Sequence, residues 1–182
     1  TAADFEKIRN EINVNPEIAA WHKKLIAKAE SNLKTDVEIY EWGFQDNILT
    51  IAREFKEKMI LYGYAWQITG DKKYPEAAWK EFESVCSFPD WNPDHSLDTG
   101  ELLFGAAIGY DWMYDAFTPE QKKFIEEGTL KLGIEVIRSA YYGRLYTDNG
   151  QFTAPFGEGF ATGNTNFNVV VNGGLTAAAL AF

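Results

Sequence analysis

Residues 102–114, LLFGAAIGYDWMY, constrain this chain more than any other stretch. A helix that is apolar on every face has no side to give to water, so other helices must surround it. The expected helix runs over about residues 97–117. Gly105 and Gly109, four apart, let another helix approach closely, although each costs about 1 kcal/mol relative to Ala. Asp98 and Glu101 precede the run and Asp111 interrupts it, so it is too charged and too short to span a membrane.

The flanking sequence supplies partners of the same kind. Residues 4–12 read as a short charged helix. Asn15-Pro16-Glu17 then sets a helix start, with Asn as N-cap, Pro at the first position and an acid in the first turn. Behind it Ile18, Trp21, Leu25, Ala29 and Leu33 form a 3.6-residue stripe, and His22 reads as a surface histidine. A long helix is expected over about residues 46–68, carrying Ile48, Ile51, Ala52, Phe55, Met59, Tyr62 and Trp66 on one side. Gly70 closes it. Tyr74-Pro75-Glu76 opens the next helix, with Ala78, Phe82 and Val85 inward, so the two form a hairpin.

Two prolines keep residues 87–95, SFPDWNPDH, out of continuous helix. Thr118-Pro119-Glu120-Gln121 fits a capping box for a helix to about residue 142, with Phe124, Leu130, Ile134, Ile137 and Tyr141 inward. Tyr110, Trp112 and Tyr114 read as core. No segment alternates with the period of a strand. The fold class is therefore all-α: residues 1–182 form one all-α domain of helical hairpins, each pairing an inner apolar helix with an outer amphipathic one.

Composition narrows the function. With 46% hydrophobic and 15% aromatic residues the chain is not disordered. A formal net charge of −10 excludes nucleic acid as a partner in this reading, since phosphate binding needs a basic field. The lone cysteine, Cys86, allows no internal disulfide. Two distant histidines and one cysteine show no metal-site spacing, so no metal or cofactor is expected.

Two stretches are candidates for a site. Residues 163–182, GNTNFNVVVNGGLTAAALAF, place Asn164, Asn168 and Asn172 at i, i+4 and i+8, one stripe if the segment is helical. Such amides either cap the helix and bond to neighbouring loops or face a polar ligand as neutral donors. In the loop before the apolar helix, Trp91 either stacks on a sugar or plugs the helix ends. His95, near Asp94 and Asp98, either carries a proton, donates to a substrate or caps the helix beginning near Ser96. Between residues 143 and 163 lies a long Gly- and aromatic-rich loop, of a length more often functional or disordered than not; Phe152, Phe156 and Phe160 argue against disorder. Tyr146, with Arg144 nearby, is its one candidate base. Residues 177–182 read as the middle of a buried helix, which leads us to expect part of a larger protein.

Four stretches together resemble the heparinase II/III-like polysaccharide lyases. They are TAADFEKIRNEINVNPEIAAWHKKL, YAWQITGDKKYPEAAWKEF, SFPDWNPDHSLDTGELLFGAAIGYDWMYDAFTPEQ and TNFNVVVNGGLTAAAL; the third is the most specific and the second is generic for helical toroids. In the last, Asn166, Phe167, Asn168, Val170, Asn172, Gly173 and Gly174 occupy the family's Asn-Asn-Trp-Asn-Gln-Val-Cys-Asn-Gly-Gly pattern. Thr165 replaces its first Asn, Phe167 its Trp, and Val169 and Val171 its Gln and Cys.

The resemblance implies the N-terminal part of an (α/α) toroid catalytic domain in a periplasmic or secreted enzyme. That enzyme splits a uronic-acid polysaccharide by β-elimination, and a downstream part with a β-sandwich domain follows. The family's catalytic Asn-His segment and Tyr would lie beyond Phe182, so residues 1–182 alone are expected to be inactive. Elimination needs neutral donors on the uronate carboxylate, a base and an acid. Asn168 suits carboxylate neutralisation; Trp91, His95, Asn164, Asn166, Asn168 and Asn172 are the expected substrate-binding residues. Two alternatives compete. One is a toroid glycoside hydrolase acting on uronyl sugars, with acids drawn from Asp90, Asp94 and Asp111. The other is a non-catalytic carbohydrate-binding helical module.

Overall fold

A computed structural model describes residues 1–43, 47–142, 160–161 and 163–182. The expectations for Arg144, Tyr146, Phe152 and Phe156 lie outside these residues. The described residues are helical, with no strand among them: α1 (Ala2–Val14), α2 (Pro16–Asn32), α3 (Leu49–Thr69), α4 (Lys73–Val85) and α5 (Ser96–Met113) come first. Then α6 (Pro119–Thr129) runs through a π turn (Leu130–Ile134) into α7 (Glu135–Tyr141), and α8 (Asn166–Ala181) ends the series. Short 3-10 turns, Pro93–His95 and Tyr114–Ala116, flank α5.

The punctuation acts as the residue types require. Asn15 Oδ1 accepts from the Glu17 and Ile18 amides at 3.0 and 3.4 Å, satisfying donors at the start of α2. Gly70 closes α3 at φ 68°, a left-handed conformation that favours glycine. Thr118 and Gln121 bond reciprocally at the start of α6.

As its composition demands, α5 is the central helix and packs chiefly on α3 and α8. Successive contacts climb together along α3 and α5: Ile48 with Asp98, Lys56 with Gly105, Met59 with Gly109, Gly63 with Trp112. They climb together along α5 and α8 as well. His95 meets Phe167, Gly100 meets Val171, and Tyr110 stacks on Phe182 at 4.6 Å. These three helices are thus parallel, and α4 and the α6–α7 rod run back against them. Phe55 meets Phe82 and Tyr62 meets Tyr74, while Gly133 settles on Leu103. Close approach is needed where α5 crosses its neighbours. A Cβ on Gly105 would lie 2.9 Å from the Lys56 Cα, and one on Gly174 would collide with the Gly100 carbonyl.

Three assignments of facing residues change. On α2, Trp21 and Leu25 are exposed, and the packed side is His22, Ile26, Ala29 and Leu33. Ala29 and Leu33 lie inward as expected, but His22 and Ile26 replace Trp21 and Leu25 beside them, so His22 is half-buried and shares a 3.0 Å hydrogen bond with the Tyr64 hydroxyl. In the α6–α7 rod, Leu130 and Tyr141 are exposed, while Ile125, Thr129, Leu132, Val136, Ile137 and Ala140 are buried. The π turn inserts a residue into the helical repeat, which changes the inward phase partway along. Tyr114 is exposed rather than core, and the Lys122 ammonium sits 3.6 Å above its ring.

Between α2 and α3 the connection is held by a buried ion cluster. Lys58 Nζ contacts Glu38 and Glu81, each at 2.7 Å, and donates to the Asp36 carbonyl at 2.8 Å. Glu81 also accepts from the Glu38 amide at 3.1 Å. Elsewhere Gly128 brings α6 onto Cys86, whose thiol burial pushes up to about 12.

Candidate functional site

Because α3, α5 and α8 are parallel, their N-termini gather at one end of the molecule. The amide of Ile48, just before α3, donates at 2.8 Å to Asp98 in the first turn of α5. His95, just before α5, packs edge-on against Phe167 in the first turn of α8, with ring centroids 5.4 Å apart. Helix N-termini attract negative charge, and here the buried Asp98 carboxylate already takes up part of that attraction.

Asp98 is the hub. It is fully buried, and its carboxylate accepts three hydrogen bonds: from Ile48 N, from Asn92 Nδ2 at 2.8 Å, and from His95 Nδ1 at 2.6 Å. Asn92, at φ 49°, is the one non-glycine residue at positive φ among the described residues. Its amide is fixed by Asp90 Oδ1 at 2.8 Å, an oxygen that also accepts from the Tyr40 hydroxyl at 3.0 Å. Farther along α5, Glu101 pairs with Lys56 and, at 3.3 Å, with Arg53, leaving a local surplus of one positive charge.

His95 and the amides of α8 meet at this end, but not as a uniform stripe. Asn164 lies in an exposed bend before α8 and is outside the helix, so the row reduces to Asn168 and Asn172. Asn166 is exposed at the first helical position. Asn168 and Asn172 both donate to the Phe160 carbonyl, at 2.7 and 3.3 Å. Tyr141 donates its hydroxyl to Asn172 Oδ1 and meets the Phe160 ring edge-on. One amide proton of each Asn is thus spent on anchoring residue 160, as the loop-bonding alternative describes.

Trp91 is corrected outright. It is 0% exposed, lies beneath Gly133 and Leu103, and donates its indole N–H to the Val85 carbonyl at 2.8 Å. A ring with no free face cannot stack on a sugar, so Trp91 is the plug. His95 occupies the N-cap position of α5 but makes no side-chain cap bond; its ring goes to Asp98 instead.

Of the carboxylates proposed for hydrolysis, Asp111 stands apart from the other two. Asp90 is engaged near the start of α5, Asp94 is exposed, and Asp111 is exposed near its far end. At 1.5 Å per residue, Asp98 and Asp111 are about 20 Å apart along the helix, well beyond the roughly 5–9.5 Å of a catalytic pair. Among the described residues no group of three His, Cys, Asp or Glu side chains could hold a metal ion. Nor does any described helix have the length and apolarity to cross a membrane.

Of the expected residues, the structure brings His95, Asn168 and Asn172 toward one end; Asp98 as hub, Asn92 and Tyr141 were not among them. The His95–Asp98 spacing across a helix start was the visible signal for Asp98. No family model matches the chain, and no curated protein matches it.

Proposed function

We propose that residues 1–182 are the N-terminal part of an (α/α) toroid polysaccharide lyase, heparinase II/III-like, that cleaves uronic-acid polysaccharide by β-elimination. The observation that carries this reading is the gathering of three helix N-termini around His95, Asn168 and Asn172. Helix N-termini and neutral amides suit a uronate carboxylate, whose charge grows as the adjacent carbon loses its proton. The family pattern through Asn166, Asn168, Asn172, Gly173 and Gly174 falls on this same end. In this reading Asn168 and Asn172 face the carboxylate, His95 contacts the sugar, and Asn166 binds from the start of α8. Base and leaving-group acid come from sequence beyond residue 182, and the enzyme is periplasmic or secreted.

A cleft away from these residues suits an acidic glycan poorly. It lies between α2, α3 and their connection, and Asp36, Glu38, Glu41, Glu54 and Glu57 line it against Lys28 and Lys58. The hydrolase alternative loses Asp111 as a partner for Asp90 or Asp94.

The test is an oligouronate titrated into the chain, followed by amide chemical shifts. Shifts clustered at residues 95–98 and 166–172, absent with the carboxyl-reduced oligosaccharide, are expected. Shifts in the acidic cleft, or equal response to both sugars, would sink the reading. In a protein extended beyond residue 182, Asn168→Ala should slow elimination more than about tenfold, while loss of its bond to Phe160 costs stability only about 1 kcal/mol.

A further inference from the structure

We infer that Asp98 is a positioning residue that fixes His95 in one tautomer, with Nε2 presented as a hydrogen-bond acceptor toward substrate. The inference rests on the proposed site but makes a claim of its own about the imidazole.

A carboxylate only accepts, so its 2.6 Å contact with His95 Nδ1 requires the proton to sit on Nδ1. In the neutral ring, Nε2 then carries the lone pair. Asp98 cannot turn away to relax this arrangement. Its other oxygen is held at 2.8 Å by both the Ile48 amide and the Asn92 side chain, and the residue is fully buried. Two segments, the residues before α3 and the loop before α5, thus converge on one carboxylate, and the ring it orients is the part that reaches solvent. The His95 side chain is 31% exposed, against 0% for Asp98. Among the described residues Nε2 has no hydrogen-bond partner, and the edge-on contact with Phe167 restrains the ring from the α8 side.

The consequence is a division of labour. A lone pair on Nε2 repels a carboxylate and accepts from a hydroxyl. His95 therefore reads a sugar hydroxyl, while the helix N-termini and amides take the uronate charge.

Long-range proton–nitrogen NMR on the chain at about pH 8.5, above the ordinary titration of imidazole, reads the tautomer directly. Wild type should show a protonated Nδ1 and an unprotonated Nε2. A protonated Nε2, or averaging between tautomers, overturns the inference whether or not any sugar binds. Asp98→Asn places an amide donor opposite Nδ1 and should move the proton to Nε2; an unchanged tautomer also overturns it. Where that variant fails to fold, the wild-type spectrum decides. With the tautomer confirmed, His95→Phe should weaken oligouronate binding about tenfold, the worth of one hydrogen bond to a ligand. An oligouronate that fails to bind wild type while the tautomer holds removes the lyase reading and leaves the positioning role of Asp98 intact.

Discussion

Lys58 carries more of this molecule's stability than any surface charge. Its ammonium is buried between Glu38 and Glu81, so removing it leaves two carboxylates facing each other away from water. Lys58→Ala should destabilise the chain by about 3–5 kcal/mol, read from denaturant unfolding, whereas Lys123→Ala on the exposed face should cost under about 1 kcal/mol. The cluster also has a pH signature. Burial works against the Lys58 charge, but hydrogen bonds to Glu38 and Glu81 outweigh it and raise the pKa above 10.5. Its contribution is therefore complete below the unfolded value and is lost as pH rises through the folded one. For Glu38, burial raises the pKa above 4.5 despite Lys58, so the native chain holds that proton more tightly than the unfolded chain. Stability from Glu38 therefore falls as pH rises from about 4.5 through the raised value. Lys58→Ala should erase the alkaline loss, which thermal unfolding against pH would show; an unchanged alkaline limb would refute the assignment.

Helix α8 separates two adjacent glycines by what surrounds them. Gly174 lies against the Gly100 carbonyl, where a methyl group has no room, while Gly173 meets nothing within 4 Å. Gly174→Ala should force α5 and α8 apart and cost about 1–3 kcal/mol, while Gly173→Ala should gain up to about 1 kcal/mol of helix propensity. Melting curves of the two variants decide it, and equal shifts would contradict the packing. The same contrast explains what the sequence could reveal. Gly105 and Gly109 were legible as close-approach positions because they lie in a run apolar all round, where every face must pack. Caps were legible because Asn15, Thr118 and Gly70 act locally. The inward face of α2 was legible only in part, because Trp21 and Leu25 are as apolar as Ile26, and only the neighbouring helix chooses which residues join Ala29 and Leu33. The π turn was hidden for a related reason: it shifts phase without changing residue type. Trp91 and His95 look alike as loop residues, and their opposite fates depend on Gly133 and Asp98, both placed by tertiary contact.

Across the whole chain the charge is −10, and the end where α3, α5 and α8 begin gathers three helix N-termini about the buried Asp98 carboxylate. Parallel packing of those three helices produces this, since hairpins whose outer helices return put every inner N-terminus on the same side. Binding and turnover then come apart. Elimination needs a base at the carbon beside the carboxylate and an acid for the departing oxygen. Among the described residues here, His95 presents an acceptor able to take a proton, but the Tyr141 hydroxyl is already donated to Asn172 and supplies no acid. Hydrolysis needs two carboxylates across a cleft, and Asp90 and Asp111 stand toward opposite ends of α5. Residues 1–182 alone should accordingly bind oligouronate without cleaving it. Incubation with heparan sulfate, alginate or chondroitin should give neither the ultraviolet absorbance of a new conjugated double bond nor new reducing ends. Absorbance growth from this chain would mean that base and acid both lie within it. Reducing ends without absorbance would restore the hydrolase and require a carboxylate pair that α5 does not supply.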